Sequence, residues 1–184
     1  TLIAIRGING SPQSDTLIGS DQLSGQVGLS GYPSNGTTFW ASRGSDLING
    51  NLSSASNVVY YNSASTPGNA IIVTFSDYQN ATVIKSIGGA DTLININGIY
   101  GSTGGDVLIG SPTAAPNDVF VHTRILQGGA GNDTIYGGAG SDTINGGDVL
   151  DGGDGLDILV SGNHLAFWSA DTGGHGVVVD MTQA

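Results

Sequence analysis

Cysteine is absent from this chain of 184 residues, so disulfides and thiolate metal sites are both excluded. Glutamate is absent as well, and all 15 acidic residues are Asp. A short carboxylate suits tight turns and metal loops, whereas Glu favours helices, so this imbalance argues against substantial helix. Basic residues number only 4, which leaves a formal net charge of −11. A chain of that sign repels nucleic acid and anionic membrane surfaces, and neither is expected as a partner. Bound divalent cations would cancel much of the charge. No apolar run approaches the length needed to span a bilayer, so membrane insertion is not expected. The first residues do not read as a secretory signal peptide. With 32 glycines and only 10 % charged residues, the composition is unlike that of an average globular enzyme.

What the chain does have is repetition. The run GGAGNDTIY at 128 to 136 is followed directly by GGAGSDTIN at 137 to 145. Each copy supplies glycines for a tight turn, one carboxylate, and a short apolar strand centred on Ile135 or Ile144. In the first copy the turn is Gly128, Gly129, Ala130 and Gly131 with Asp133; in the second it is Gly137, Gly138, Ala139 and Gly140 with Asp142. A third copy, GGDGLDILV at 152 to 160, carries Gly152, Gly153, Gly155 and Asp157. Between them GGDVLD keeps Gly146, Gly147 and Asp148 but lacks three residues of the turn. Weaker forms lie upstream, in GSTGGDVLI with Asp106 and in GSPTAAPNDVFV with Asn117 and Asp118.

This is the G-G-x-G-x-D-x-U-x pattern, in which stacked turns bring main-chain carbonyls and Asp oxygens from neighbouring coils onto one calcium ion. Calcium is a hard cation that takes six to eight oxygens. If strands alternate between two sheets of a flattened coil, Asp133 stacks with Asp148 and Asp142 with Asp157. Asp151 and Asp154 read as solvated turn residues. Isolated Gly-Asp turns such as Gly19 to Asp21 read as turn formers only.

The region from Gly128 to Val160 resembles the RTX (repeats-in-toxin, hemolysin-type calcium-binding) modules of bacterial proteins exported by type I secretion. The resemblance implies a parallel β-roll that folds on extracellular calcium, a secreted or cell-surface location, and an export signal at the C-terminus of the parent protein. The expected fold is all-β: a β-roll or β-solenoid with calcium-binding glycine-Asp turns, plus extra strands belonging to a larger repeat.

That larger repeat appears when TLIAIRGINGSPQSDTLIGS at 1 to 20 is laid over TLININGIYGSTGGDVLIGS at 92 to 111. FWSADTGGHGVVVDMT at 167 to 182 likewise follows the layout of YNSASTPGNAIIVTFS at 61 to 76. The chain then divides into 1 to 56, the end of a preceding unit with an irregular insertion; 57 to 100, a strand-rich start; 101 to 163, the nonapeptide roll; and 164 to 184, the start of the next unit. Strands are expected at Val58 to Tyr61, Ala70 to Phe75, Thr92 to Ile96 and Gly176 to Met181. Ser30 to Asn51 reads as irregular, with GSDLING at its end marking where a solenoid resumes. The layout resembles the repeat blocks of large RTX adhesins.

Catalysis is not expected. His122, His164 and His175 lack metal-ligand spacing and no activating motif surrounds any Ser. Phosphate-loop chemistry fails because the only lysine, Lys85, does not follow the glycines. Phe39, Trp40, Tyr60, Tyr61, Phe167 and Trp168 read as core or capping residues before they read as a sugar-stacking face. The leading expectation is a structural or interaction module: a spacer, adhesin stalk, or unit that associates end to end into a fibre or surface layer. The alternative is a carbohydrate-binding accessory module of an extracellular polysaccharide-modifying enzyme.

Each coil can turn only a few Ile, Leu and Val side chains inward, and its glycines are costly to order. Extracellular calcium modules bind at ~0.1 to 1 mM, so millimolar calcium contributes on the order of 1 kcal/mol per site by linkage. The 101 to 163 region is therefore expected to gain β circular dichroism when calcium replaces a chelator; identical spectra in the two conditions would remove the switch.

Overall fold

The computed structural model describes residues 7–19, 36–51, 57–61, 70–113, 124–139, 142–145, 149–151, 158–160 and 178–180. Among these there is no helix. Sixteen strands form two sheets of eight, neither closed into a barrel. The first sheet contains β1 (Gly7–Asn9), β3 (Thr38–Trp40), β5 (Val58–Tyr60), β9 (Gly98–Tyr100), β11 (Arg124–Gln127), β13 (Asp142–Asn145), β15 (Ile158–Val160) and β16 (Val178–Asp180), neighbouring in that order. The second contains β2 (Thr16–Ile18), β4 (Leu47–Asn49), β8 (Ala90–Ile94), β7 (Ala81–Lys85), β6 (Ile71–Phe75), β10 (Val107–Ser111), β12 (Thr134–Gly138) and β14 (Val149–Asp151). The chain crosses from one sheet to the other at nearly every turn, which is the path of a β-roll.

Every pairing in the first sheet is parallel, and β1, β3, β5, β9, β11 and β13 each place one apolar side chain inward at the same level. Ile8, Phe39, Val59, Ile99, Leu126 and Ile144 form one such column in register. Leu17, Ile48 and Leu93 form the matching column of the second sheet at one end, and Leu108 and Ile135 at the other. The two columns meet in a single core whose members, apart from Ile8 at its margin, are almost wholly buried. Single inward residues suffice because each coil is covered above and below by its neighbours, so a strand of three residues can be stable here.

The second sheet departs from a plain roll at its centre. The β6, β7 and β8 strands form an antiparallel meander, with β7 running against both neighbours. Between β4 and β10 the second sheet therefore passes through β8, β7 and β6, while in the first sheet β5 pairs directly with β9. β6, β7 and β8 thus add to the second sheet beyond a plain two-sheet roll. The expected strands at 58, 70 and 92 correspond to β5, β6 and β8, and Gly176 to Met181 contains β16. β7 carries the same β-branched alternation and was not among the expected strands.

Ser30 to Asn51 is more regular than the sequence suggested. The part of it that is described holds β3 and β4, both full members of the sheets. A strand of three residues with one inward side chain, Phe39 or Ile48, carries too little pattern to be recognised among Gly, Ser and Pro. The long repeat also has a structural counterpart: β1 and β2 occupy in the first copy the positions of β9 and the start of β10 in the second.

Inward and outward positions alternate sharply on β12, where Ile135 is fully buried and Tyr136 is 42 % exposed. Ile135→Ala should cost about 2 to 5 kcal/mol, and Tyr136→Ala about 0.5 kcal/mol or less, in denaturant titrations with calcium present. A larger loss for Tyr136→Ala than for Ile135→Ala would mean that the roll is wound with the opposite face inward.

Candidate metal centre

The turns that precede strands of the second sheet stack residue over residue. The turn from Gly101 to Asp106 lies against the turn from Gly128 to Asp133: a Cβ on Gly129 would collide with the Ser102 carbonyl, and one on Gly131 with the Gly104 carbonyl. Both glycines have positive φ, +102° and +122°, which a side chain would strain as well. Glycine at these places lets carbonyl-lined loops approach to one strand spacing. The bond from Thr134 N–H to the Asp106 carbonyl and the β10–β12 register hold the two layers in phase.

Each turn ends in a carboxylate that points under the next coil. Asp106 N–H donates to Oδ1 of Asp133 at 2.8 Å, and Ile71 N–H to Oδ1 of Asp106 at 2.8 Å. Asp46 and Asp91 take the same bond, from Asp15 N–H and Asp46 N–H, both at 2.9 Å. The row is therefore a ladder of Asp side chains, each accepting from the main chain of an adjacent layer. In the first sheet the corresponding row is built from amides: Thr37 N–H donates to Asn57 Oδ1 at 3.0 Å and Asn57 N–H to Asn97 Oδ1 at 3.1 Å.

What differs along the ladder is the second carboxylate oxygen. Where a Ser stands four residues before the Asp, it folds back onto it. Ser102 N–H donates to Asp106 Oδ2 at 2.6 Å and Ser102 Oγ to Asp106 Oδ1 at 2.7 Å, and Ser11 N–H and Oγ meet Asp15 Oδ2 and Oδ1 in the same way at 2.5 and 2.9 Å. Ser42 Oγ approaches Asp46 Oδ2 at 3.4 Å. In the two nonapeptide copies this place is Gly129 or Gly138, which keeps the main-chain N–H and has no hydroxyl. There Oδ2 of Asp133 and Oδ2 of Asp142 are buried and accept no hydrogen bond. A buried carboxylate oxygen beside stacked carbonyls fits a hard divalent cation. No three His, Cys, Asp or Glu side chains converge among the described residues, so most oxygens for such an ion would come from the main chain.

Residues 125–148 match the family model of the RTX calcium-binding nonapeptide repeat (4 copies). This segment consists of RTX calcium-binding repeats. RTX nonapeptide repeats bind calcium, and calcium is the cofactor of these repeats. The RTX family is a structural calcium-binding module, with no catalytic role attached to it. No curated protein and no solved structure matches the chain.

The structure brings several of the expected site residues together. Asp133 lies under Asp106 at the head of β12, flanked by Gly128, Gly129, Ala130 and Gly131. Asp142 opens β13, preceded by Gly137, Gly138 and Ala139. The registers Thr134 with Val149 and Thr143 with Ile158 place successive layers fifteen residues apart, as alternation between two sheets requires. Asn117, Asp118, Gly140, Gly146, Gly147, Asp148, Gly152, Gly153, Gly155 and Asp157 lie outside the described residues. Asp106 behaves differently from the RTX aspartates, because both its oxygens are engaged by Ser102 and Ile71. Burial pushes its carboxyl above the usual Asp range, and neighbouring Asp133 adds to this, while the bonds from Ile71 and Ser102 oppose it. The amide row of Asn57 and Asn97, and the Ser four residues before each stapled Asp, were both visible in the sequence as a recurring spacing and were not used.

The aromatic residues give no open sugar platform among the described residues. Phe39 and Tyr61 are fully buried. Trp40, Tyr60 and Tyr100 stack in one column on the outside of the first sheet, with centroids 6.0 and 4.1 Å apart. The exposed end of that column is closed by Gly7, where a Cβ would come within 2.6 Å of Trp40 Cζ3. Phe167 and Trp168 lie outside the described residues. No helix among the described residues is long and apolar enough to cross a membrane.

Asp106→Ala strips three buried donors of their acceptor and should cost about 2 to 4 kcal/mol in chemical denaturation with calcium present. Its calcium stoichiometry by calorimetry should equal that of the unaltered chain. A lost ion would instead make Asp106 a ligand.

Proposed function

We propose that this chain is a calcium-stabilised β-solenoid section of a secreted or cell-surface bacterial protein, acting as spacer, adhesin stalk or assembly unit. The observation that carries the reading is the in-register stacking of the glycine turn at 128 to 131, within the residues matched to RTX repeats, on the turn at 101 to 106, with a carboxylate in each layer. Asp133 and Asp142 are the proposed side-chain ligands, joined by carbonyls of the turns at 128 to 131 and 137 to 140. Asp148 and Asp157, with Gly146, Gly147, Gly152, Gly153 and Gly155, would continue the two rows. Asp106 is proposed as a turn staple.

A structural role is supported by the shape of the sheets. Both are open: among the described residues nothing pairs with the outer sides of β1, β2, β14 and β16. Open edges of stacked coils accept further strands, which favours end-to-end continuation into a fibre or layer. The division at 56, 100 and 163 is retained as a proposal about the parent's repeat unit, with 57 to 100 holding the meander and 101 to 163 the calcium-dependent coils.

Removing one charged oxygen ligand weakens a calcium site in the way ligand charge tunes such sites generally. Asp133→Asn and Asp142→Asn should each raise the calcium midpoint of folding roughly tenfold, read by circular dichroism. If neither variant shifts the midpoint, the proposed ligands are wrong. Electron microscopy of concentrated protein in calcium should show elongated assemblies; separated particles alone would count against the assembly role.

A further inference from the structure

The aspartate ladder of the second sheet does not end where the RTX match ends. It runs upstream through Asp91, Asp46 and Asp15, three carboxylates in adjacent layers with Asp46 and Asp91 almost fully buried. Adjacent parallel strands lie ~4.8 Å apart, so such a row repels itself unless a positive charge is supplied. Burial indeed pushes the Asp91 carboxyl above its usual range, opposed by Lys85, the Asp46 N–H and the Tyr61 hydroxyl.

The positive charge comes from the only lysine in the chain. Lys85 Nζ lies 2.5 Å from Asp91 Oδ1, 3.6 Å from Asp46 Oδ2 and 2.8 Å from the Ser42 carbonyl oxygen. The Lys85, Asp46 and Asp91 side chains have no exposure at all. Two carboxylates from successive layers and a turn carbonyl are the kind of oxygen set that a β-roll offers to calcium. The ammonium has three protons for these three oxygens. Tyr61 Oη completes the cluster by donating to Asp91 Oδ2 at 2.9 Å.

The antiparallel meander explains how a side chain reaches this place. All parallel strands of the sheet begin at the turn row, so their last residues lie at the opposite edge. β7 runs the other way, and its last residue, Lys85, therefore arrives at the row. Its inward alternation with Ala81 and Val83 turns the ammonium under the coil. In the first sheet the same layers need no cation, since Asn57 and Asn97 replace carboxylates.

We infer that Lys85 is a resident cation occupying the place that calcium takes in the RTX turns, so that the coils from β3 to β9 fold without calcium and form a platform for the calcium-dependent coils. This rests on the calcium reading of 125 to 160 only for the contrast between the two halves. Lys85→Met then opens a latent calcium site between Asp46, Asp91 and the Ser42 carbonyl.

Hydrogen exchange with mass spectrometry on the full chain, in chelator and in millimolar calcium, separates the two claims. Peptides covering 38–49 and 81–94 should be protected in both conditions, and peptides from 125–160 only in calcium. Loss of protection at 38–49 and 81–94 in chelator overturns the resident-cation inference; unchanged protection at 125–160 overturns the calcium reading instead. In Lys85→Met, protection of 38–49 and 81–94 in chelator should fall about a hundredfold, the size expected when one partner of a buried ion pair is removed, and calcium should restore it. Lys85→Met with Asp91→Asn, which removes the excess charge, should recover protection in chelator. A single variant that stays protected in chelator, or one that calcium fails to restore, overturns the inference, as does a double variant that recovers nothing.

Discussion

The structure depends on one recurring contact: an Asp or Asn side chain at the end of a turn accepts the main-chain N–H of the adjacent layer. This bond sets the register between coils, since it is made at the same position in Asn57, Asn97, Asp46, Asp91, Asp106 and Asp133. It also creates the electrostatic problem of the fold. Identical acceptors are stacked in a column, and wherever the acceptor is a carboxylate the column is a line of like charges held away from water.

Three solutions to that problem occur in one roll. The first sheet uses asparagine, which accepts the bond without a charge. The upstream part of the second sheet keeps aspartate, with serine hydroxyls or an internal ammonium to satisfy it. The RTX repeats keep aspartate, replace the serine by glycine, and take the positive charge from solution as calcium. On the proposed reading, a coil that needs metal differs from one that does not at a few positions: the residue four before the Asp, and whether a cation is delivered by the chain itself.

The sequence was legible where the pattern is carried by adjacent residues. GGAGNDTIY and GGAGSDTIN declare their turn, ligand and strand in nine positions, and the fifteen-residue spacing of the later layers follows from counting them. The all-β class followed from the absence of Glu and of helical periodicity. Less could be read where the information is spread over separate layers. β3 and β4 contribute three residues each, and their regularity exists only relative to β5 and β8, which lie far along the chain. Lys85 looked like an isolated basic residue because its partners Ser42, Asp46 and Asp91 are brought together by a strand reversal that local pattern does not announce. Asp106 looked like a weak copy of a ligand, and only the layered structure shows both its oxygens engaged by Ser102 and Ile71.

The meander that delivers Lys85 has a geometrical consequence as well. Between β4 and β10 one wall of the roll contains three strands, whereas the facing wall contains only β5 between β3 and β9. At ~4.8 Å per strand, the longer wall gains two spacings, or about 10 Å, over its counterpart. Walls of unequal length cannot stay parallel, so the hairpin acts as a wedge and swings the long axis toward the shorter side. A protein that repeated this unit would be bent once per period, its filament an arc whose curvature is written by a five-residue strand.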